Sequence, residues 1–415
     1  MSPGSVKSTC RLPSGLILAL FLAGVPAAAA DWPGWRGPGG SGVSDEKGLP
    51  SRWSESENVR WKAELPGRGL SSPVIAGGKV YVTASSGVKQ DRLHVLSFDA
   101  VTGRKLWERQ LWATGDTQCH PKTSMAAPTP ASDGARVYAL FATCDFAAYD
   151  AAGRLAWYRS LTRDYPDLSN QVGMAASPVL WEDLLVIALD TDSAAFVVAV
   201  DTATGANRWK TERPRGINWT TPVFFRRGSR AEVVVQSGRG LTAYEPRTGE
   251  VRWVHEADLD PIASPVAGGE VLFAPGGNIS AILPAAGDEG PRVLWTSPRI
   301  KASTASPLHY ESRLYAIASA GILACADAAT GEVLWQERLQ GPFSASPVLG
   351  DGKLYCVNEE GVTAVVDLRA ENRVVAKNPL GEEILASPAI SGGSIFFRSD
   401  RHLHAIGGGS AQPGE

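Results

Sequence analysis

The sequence lacks long blocks of one charge, and it contains few cysteines and histidines. Lys and Arg number 40 against 43 Asp and Glu, for a formal net charge of −3, and there is no basic block or acidic tail. A nucleic-acid-binding surface or a strongly charged partner is therefore not expected. The five cysteines and six histidines form no Cys-x-x-Cys-His motif and no metal-type spacing, and Gly-x-Ser-x-Gly is missing. Haem, metal and serine-hydrolase chemistry thus have no motif to support them.

An apolar run long enough to span a bilayer comfortably is also missing. The short apolar run at 16–25 follows Lys7 and Arg11 and precedes three alanines at 28–30. This order is typical of a secretory signal peptide with its cleavage site. We therefore expect residues 1–30 to be removed, which leaves a mature chain of 385 residues in the periplasm or outside the cell. No transmembrane segment is expected after cleavage.

What the sequence does contain is a repeat. The pattern Asp-x-x-Thr-Gly-x-x-x-Trp occurs at 327–335, 99–107 and 201–209, and a softer copy with Glu in place of Asp occurs at 245–253. A strand-like apolar run precedes each copy, and the tryptophan lies in a second strand that follows the turn. Periodicity of this kind indicates a repeat architecture.

Eight prolines, most of them in Ser-Pro, mark the starts of the units. Successive prolines are 55, 50, 44, 43, 42, 40 and 41 residues apart. A hairpin-like pair of strands follows each, so one unit reads as four short strands, A to D from the centre outward, which is the length of one propeller blade. The eight positions are Pro73, Pro128, Pro178, Pro222, Pro265, Pro307, Pro347 and Pro388.

The two ends of the chain predict how the ring closes. The last unit stops at 402–406 without a Trp strand, whereas the Trp strand at 59–63 stands alone before the first unit. The strand around Trp61 can therefore complete the last blade and remove the open sheet edge. The predicted fold is an all-β, eight-bladed propeller of four-stranded antiparallel blades over residues 58–407.

Two segments flank the propeller. Residues 31–57 contain Trp32 and Trp35 among prolines and glycines, so we expect an extended N-terminal arm whose tryptophans dock on the barrel side. A ligand role for either tryptophan is a less favoured interpretation. Residues 408–415 are Gly-rich and are expected to form a disordered tail.

The turn motif has a structural explanation. Glycine adopts the positive φ that the turn needs, the Asp and Thr side chains can bind turn amides, and the tryptophan can fill the space between blades. Burial of ~150–250 Å² at ~25 cal/mol/Å² makes each tryptophan a large gross contribution to stability. The unit at 374–375 lacks a tryptophan, so its packing is expected to be weaker. The seven scaffold positions are Trp61, Trp107, Trp157, Trp209, Trp253, Trp295 and Trp335.

With the repeats at these spacings, the chain resembles the propellers named after pyrroloquinoline quinone (PQQ). Quinoprotein dehydrogenases share this repeat with the non-catalytic propeller of the outer-membrane protein assembly machinery. The arm sequence at 32–38 is similar to that of exported PQQ-like propellers without an assigned role. The resemblance supports the fold more strongly than a cofactor, because the repeat builds the blades rather than the site.

The dehydrogenase resemblance implies particular chemistry. Quinoprotein alcohol dehydrogenases of this shape hold Ca²⁺ through carboxylate and amide oxygens, use an Asp base, and in many cases carry a disulfide of adjacent cysteines over the quinone. This chain has no adjacent cysteine pair, and the segment 190–192 is too short for an Asp-rich calcium loop. A PQQ and Ca²⁺ site remains an alternative, because ligands can come from scattered positions.

Two long connections single out one face. Trp107 to Pro128 and Trp157 to Pro178 each span 21 residues, where other links span 12 or 13. Connections from strand D to the next strand A are expected beside the channel mouth, where ligand sites concentrate. Either the two long connections line an amphipathic, weakly positive mouth for a carboxylate-bearing or sugar-like ligand, or they only cover the rim. The candidate residues are His120, Lys122, Arg163, Asn170, Gln171, Arg215, Asn218, Trp219 and Lys301.

The cysteines allow one disulfide. Cys119 lies in the first long connection and Cys144 at the B-to-C turn of the next blade, so both are expected on the same face, where export would permit oxidation. Cys325 and Cys356 alternate with apolar residues and are expected to be buried free thiols.

The expected function is that of an exported, monomeric binding or scaffold module. Its channel mouth would take a protein partner or a small-molecule ligand, with no metal and no required cofactor. The alternative is a PQQ- and Ca²⁺-dependent dehydrogenase that oxidises alcohols or sugars; no catalytic residue can be assigned from the sequence.

Overall fold

The structure, a computed structural model, describes residues 1, 2, 4, 30–54, 56–169, 172–228, 230–285 and 289–408. Most of the predicted signal peptide and the predicted tail beyond residue 408 lie outside the described residues. Strands dominate the described part, and its helices are one 3₁₀ turn at Pro38–Gly40 and one short α-helix, α1, at Leu161–Asp164. None of the helices in this part is long and apolar enough to span a membrane.

The strands form eight four-stranded antiparallel sheets, as predicted. Blades 1 to 4 follow one another along the chain. Their strands A to D are Val74–Ala76, Lys79–Ser86, Arg92–Asp99 and Lys105–Trp112 in blade 1; Ala131–Ser132, Arg136–Leu140, Asp145–Asp150 and Leu155–Ser160 in blade 2; Val179–Trp181, Leu184–Asp190, Ala195–Asp201 and Asn207–Glu212 in blade 3; and Val223–Arg227, Arg230–Ser237, Gly240–Tyr244 and Val251–Glu256 in blade 4.

Blades 5 to 8 continue the series, and the last blade takes its outer strand from the start of the chain. Their strands are Val266–Gly268, Val271–Pro275, Ile279–Leu283 and Arg292–Ser297 in blade 5; Leu308–Tyr310, Arg313–Ile317, Ile322–Asp327 and Val333–Arg338 in blade 6; Val348–Gly350, Lys353–Val357, Val362–Asp367 and Val374–Pro379 in blade 7; and Ala389–Ser391, Ser394–Arg398, His402–Gly407 and Val59–Glu64 in blade 8.

The ring closes as the sequence predicted. The strand Val59–Glu64 pairs antiparallel with His402–Gly407, with Trp61 opposite Ala405 and Lys62 opposite His404. The A strands of most neighbouring blades contact one another, so the A strands form the wall of the central channel. The short A strands are mostly buried and the B and C strands almost wholly so, which places the core between the blades.

Tryptophans of strand D fill the seams between blades. Trp61 packs on the turn glycine of blade 1, and a Cβ atom added to Gly103 would lie 2.5 Å from its ring. Gly103 also has a φ of 70°, so the turn needs glycine for two reasons. The Trp61 indole N–H donates to the Ala100 carbonyl at 3.1 Å. The same ring-on-glycine contact occurs for Trp107 on Gly153, Trp157 on Gly205, Trp209 on Gly249 and Trp295 on Gly331.

Two other tryptophans of strand D make different contacts. Trp253 turns its indole N–H to the Glu232 carboxylate of its own blade, at 2.8 Å. Trp335 lies under the Arg373 guanidinium, whose Cζ is 4.5 Å from the ring centroid. The degenerate repeats therefore change how the seam is filled rather than the blade itself.

The start of blade 2 differs from the prediction. Ala131 pairs with Tyr138 in the register that joins Val74 to Tyr81 in blade 1. Pro130, and not Pro128, is therefore the equivalent of Pro73, and the first long connection is two residues longer than the proline spacing indicated. The Thr-Pro pair at 129–130 was missed because a second proline precedes it.

The N-terminal arm, whose tryptophans are expected to dock on the barrel side, runs inside the channel. Trp32 pairs with Ile75 of the blade 1 A strand through backbone hydrogen bonds of 2.7 and 2.9 Å. Ser132 of blade 2 donates its backbone N–H to the Pro33 carbonyl at 2.8 Å. The A strands are the channel wall, so the arm lies against the inner edges of the sheets.

The arm then crosses to the opposite side of the ring. Arg36 is fully buried and donates to the Pro307 carbonyl of blade 6 at 2.6 Å. Burial lowers the pKa of Arg36 to about 9. Further along, Gly42 accepts the Leu349 backbone N–H of blade 7 at 2.8 Å. The arm is therefore a plug held by blades 1, 2, 6 and 7.

As it leaves the ring, the arm supplies the missing eighth tryptophan. Strand D of blade 7 has Ala376 at the position that Trp335 occupies in blade 6. Trp53 fills this seam instead, with ring centroids 6.3 Å from Tyr355 and 5.7 Å from Phe397. The predicted weak seam is thus filled by a residue from the other end of the sequence.

We expect Trp53→Ala to lower the free energy of unfolding by about 3–5 kcal/mol, because the substitution leaves a cavity in a buried seam. Trp53 is 3% exposed, whereas Trp112 is 63% exposed and makes a suitable control. Urea unfolding followed by circular dichroism measures both. Trp112→Ala should cost less than about 1 kcal/mol. Equal effects of the two substitutions would show that Trp53 does not hold the seam.

The Asp carboxylate of the turn motif stabilises the fold in a way that depends on pH, as Asp201 shows. Asp201 accepts hydrogen bonds from the Thr204 amide and hydroxyl, both at 2.8 Å. Its hydrogen bond from Arg208, assisted by Thr204, lowers the pKa of Asp201 to about 2 despite partial burial. A carboxylate with a lowered pKa stabilises the fold above its unfolded-state pKa of about 4, and this contribution is lost as the pH falls toward 2.

Asp201→Asn should therefore destabilise the protein by about 1–2 kcal/mol at pH 7, the usual net value of charge-assisted hydrogen bonds. The difference in the free energy of unfolding between this variant and the unsubstituted protein should shrink as the pH is lowered from 4 toward 2. Chemical unfolding at several pH values measures this, with the exposed Asp258→Asn as control. A difference that stays constant over this range would contradict the prediction.

Candidate ligand-binding site in the central channel

Eight hydroxyl groups, one from each blade, form a ring around the channel. Each belongs to the residue before the blade's first proline, and each is buried. Seven of the eight hydroxyl oxygens accept the backbone N–H of the equivalent residue in the preceding blade, at 2.9–3.1 Å. The hydroxyl hydrogen is not used in this bond and can still be donated. The eight residues are Ser72, Thr129, Ser177, Thr221, Ser264, Ser306, Ser346 and Ser387.

The ring surrounds a cavity of about 420 Å³ that also touches the connections above it. Trp35 of the arm lines this cavity, and it also lines a second cavity of about 280 Å³ between the arm and blades 2 to 4. The arm therefore separates two spaces along the channel. The upper cavity, called the mouth cavity below, is within the size range of pockets that take small ligands.

An ion pair bridges the mouth. Lys122 from the first long connection reaches Glu359 at the B-to-C turn of blade 7, with Nζ to Oε2 at 2.8 Å. Ser344 donates to the same carboxylate at 2.7 Å. Partial burial raises the pKa of Glu359, but the hydrogen bonds from Lys122 and Ser344 outweigh it and the pKa is lowered. Connections of both kinds thus meet at one mouth, as the sequence predicted.

The first long connection is held by local contacts. The His120 backbone N–H donates to the Val172 carbonyl of the second long connection at 3.0 Å. Arg68 donates to the Pro121 carbonyl at 2.6 Å, and the Lys122 backbone N–H donates to His120 Nδ1 at 3.1 Å. His120 and Lys122 are both exposed to the cavity side. The two long connections therefore brace each other and present these side chains at the mouth.

Three of the nine predicted mouth residues line the cavity, and four others that the structure describes do not. His120, Lys122 and Trp219 are lining residues. Trp219 is oriented by a hydrogen bond from its indole N–H to the Gly173 carbonyl, at 3.0 Å. Asn170 and Gln171 lie outside the described residues. Arg163, Arg215 and Lys301 are exposed and are not among the lining residues.

Asn218 belongs to a buried hydrogen-bond network instead. It is 1% exposed and donates to Asp190 at 3.0 Å and to the Gln236 carbonyl at 2.8 Å. Asp190 in turn forms a buried ion pair with Arg213, at 3.0 Å. The side chain of Asn218 therefore points into a polar network between blades 3 and 4, away from the mouth.

The predicted disulfide is not formed in the structure. Cys119 and Cys144 are free thiols. Cys119 contacts the Thr123 carbonyl and Gln90, each at 3.8 Å, whereas Cys144 is buried in the core of blade 2. Burial raises the pKa of the Cys144 thiol to about 12, and a protonated thiol is a poor partner for disulfide exchange. Cys325 and Cys356 are buried free thiols, as expected.

The lining residues do not form a calcium site. Ca²⁺ takes six to eight oxygen ligands, several of them carboxylates. Glu359 is the one carboxylate among the described lining residues, and its charge is balanced by Lys122. The cavity could hold a planar quinone by size, but its residues do not fit the PQQ and Ca²⁺ pair that the resemblance implied.

Sequence reasoning missed several features of the site. The hydroxyl ring could have been found, since Ser or Thr precedes most of the predicted prolines, but these residues were interpreted only as strand starts. The place of Glu359 at the mouth could not be predicted from the sequence, because its partner Lys122 is 237 residues away. Trp35 was considered for a ligand role, but its position within the channel depends on the path of the arm.

Comparison with known proteins confirms the resemblance. Four overlapping segments, residues 43–224, 191–341, 275–376 and 319–411, match a family model described as outer membrane protein assembly factor BamB. A polyvinylalcohol dehydrogenase from Pseudomonas sp is 24% identical over an alignment of 281 residues, and the match covers 55% of this chain. The match spans only about two fifths, 41%, of that enzyme's length.

Solved structures share the fold. BamB from Moraxella catarrhalis superposes with a TM-score of 0.63 at 14% identity, covering 86% of this chain and 99% of that one. The quinohemoprotein alcohol dehydrogenase from Comamonas testosteroni gives 0.66 at 13% identity, covering 93% and 82%. At these identities the likeness concerns architecture. The family model covers most of the chain, and the protein therefore belongs to the PQQ-like propeller family described as outer membrane protein assembly factor BamB.

Proposed function

We propose that this protein is a binding module whose mouth cavity holds a small polyhydroxylated ligand, such as a sugar or a sugar acid. The observation that carries the proposal is the ring of eight hydroxyls around a cavity that the arm limits on one side. The proposal includes export of the chain, for which the support is the sequence pattern of residues 1–30.

The ring suits a ligand with many oxygen atoms. Seven of the eight ring hydroxyls already accept a backbone N–H from a neighbouring blade, so their remaining strong capacity is as donors. Sugar hydroxyls and carboxylates accept such bonds, and donors at regular intervals around the channel can serve several of them. A wholly apolar ligand would leave these donors without partners, which carries a cost in a buried site.

Apolar surface between the polar groups adds to this fit. Trp35 and Trp219 line the cavity together with Ile262 and Leu385. Binding pockets combine apolar walls with a few placed polar groups, and the C–H faces of a sugar ring can pack on such walls. Lys122 and His120 at the rim offer donors for a carboxylate on the ligand.

The relatives support a binding role but differ in what they do. The polyvinylalcohol dehydrogenase is named for a polymer that carries hydroxyl groups, which agrees with a hydroxylated ligand. The assembly factor is named for the assembly of outer-membrane proteins, which favours a protein partner at the same mouth. The dehydrogenase alternative with PQQ and Ca²⁺ has less support, because the mouth offers one carboxylate among its described lining residues.

The first test is calorimetric titration of the full chain with glucose, gluconate and PQQ, the last with and without Ca²⁺. We expect saturable heat with gluconate or glucose at one site per chain, and no Ca²⁺-dependent binding of PQQ. Tight Ca²⁺-dependent binding of PQQ would overturn the proposal in favour of the dehydrogenase. The absence of heat with both sugars would contradict it and favour a protein partner.

Two substitutions at the mouth should shift gluconate affinity in opposite directions. Lys122→Met removes a donor for the carboxylate and should weaken binding by roughly tenfold or more, since a charge-assisted hydrogen bond contributes about 1.5–3 kcal/mol. Glu359→Gln releases Lys122 from its ion pair and should strengthen binding. Glucose affinity should change little in either variant, because glucose has no carboxylate.

Lys105→Met is the matched control. Lys105 also pairs with a glutamate, Glu108, at 2.8 Å, and its side chain is 50% exposed against 61% for Lys122. It lies in strand D of blade 1, away from the channel. If Lys105→Met weakens gluconate binding as much as Lys122→Met, the effect is one of net charge and the assignment of Lys122 is wrong.

A further inference from the structure

A cluster of metal-ligating side chains lies outside the mouth cavity, where blade 7 meets blade 8. Glu382 belongs to the connection between these blades, and His402 and His404 belong to strand C of blade 8. Successive side chains alternate along a strand, so the two histidines share one face of the sheet. One ligand atom from each of the three residues lies within 4.8 Å of the other two.

The environment of His404 indicates a missing partner. His404 is 3% exposed, and its Nε2 atom is buried without a hydrogen-bond partner among the described residues. Buried polar atoms are nearly always paired, since an unpaired one costs free energy. The unpaired imidazole nitrogen, beside a carboxylate and a second imidazole, has a lone pair that a metal ion can accept.

A small cavity gives access to the cluster. It measures about 290 Å³ and is lined by Val59, Lys62, Leu380 and His404. An ion and a water molecule can therefore reach His404 from the groove between the outer strands of the two blades. This groove is the seam that lacks a strand D tryptophan, with Ala376 at that position.

We propose that Glu382, His402 and His404 bind one divalent transition-metal ion, with Zn²⁺ as the best match. Two imidazoles and one carboxylate suit Zn²⁺ and not Ca²⁺ or Mg²⁺, which prefer oxygen ligands. Three protein ligands leave a fourth position for water on the side of the small cavity. Ligands of Zn²⁺ lie roughly 2.0–2.2 Å from the ion, so the cluster would contract by about 1 Å on binding.

Lys62 competes with the ion for Glu382. Its Nζ lies 2.7 Å from Glu382 Oε1, and its side chain is 44% exposed, so it can turn into solvent when the ion binds. His402 Nδ1 lies 2.7 Å from Glu382 Oε1 and 2.9 Å from Oε2, where the ion would replace the shared proton. Ser399 also donates to this carboxylate. Removal of Lys62 should therefore increase metal affinity, an effect that a purely structural hydrogen-bond cluster would not produce.

The test uses the full chain without an affinity tag, treated with a chelator and then titrated with Zn²⁺ in competition with a metal-binding dye. We expect one Zn²⁺ per chain and a higher melting temperature in its presence. Co²⁺ should give the visible absorption bands of a tetrahedral site. Lys62→Met should raise Zn²⁺ affinity severalfold, and Glu382→Gln and His404→Asn should each lower it at least about tenfold.

His309→Asn is the control for binding to any imidazole. His309 lies in strand A of blade 6 and stacks on Phe273 with ring centroids 5.4 Å apart. This variant should bind Zn²⁺ like the unsubstituted protein. If His404→Asn fails to fold, as judged by circular dichroism, Glu382→Gln provides the result. The proposal is wrong if the chelator-treated protein binds no Zn²⁺, or if both ligand variants bind it as well as the control.

Discussion

The closure of the ring is the constraint on which the rest of this structure depends. A propeller blade buries its two faces only against its neighbours, so a single open seam would expose apolar surface on both sides. Blade 8 is closed by the strand Val59–Glu64 from the start of the chain. Most seams are filled by a tryptophan that needs a glycine in the opposite turn, as Trp61 needs Gly103. The repeated contact between tryptophan and glycine and the closing strand therefore meet the same requirement, which is that every seam between blades is covered.

The exception to this rule explains the path of the arm. The seam between blades 7 and 8 has Ala376 where the other repeats have tryptophan, and Trp53 of the arm occupies the space. To reach this seam, the arm crosses the channel, where Arg36 binds the Pro307 carbonyl and Trp35 divides the space in two. The same segment thus completes the packing and gives the mouth cavity its floor.

The polar groups of the channel serve the fold and the candidate site together. The ring hydroxyls accept backbone N–H groups from one blade to the next, and the same hydroxyls line the cavity. Because the acceptor side is used for the fold, the donor side is left to a ligand. Charge is limited at this mouth: Lys122 and Glu359 neutralise each other across it. The site is therefore polar but close to neutral, which agrees with a hydroxylated ligand better than with a multivalent ion.

The sequence by itself determined the fold, the number of blades and the closing strand, because each blade repeats local turn and strand chemistry that can be read within about 45 residues. It also placed His120, Lys122 and Trp219 at the mouth, since unusual connection lengths mark a face. Only the tertiary structure decided the path of the arm, the Lys122–Glu359 pair and the free state of the Cys119 and Cys144 thiols. These features join residues that are far apart in the chain or depend on side-chain direction, and no local pattern carries that information.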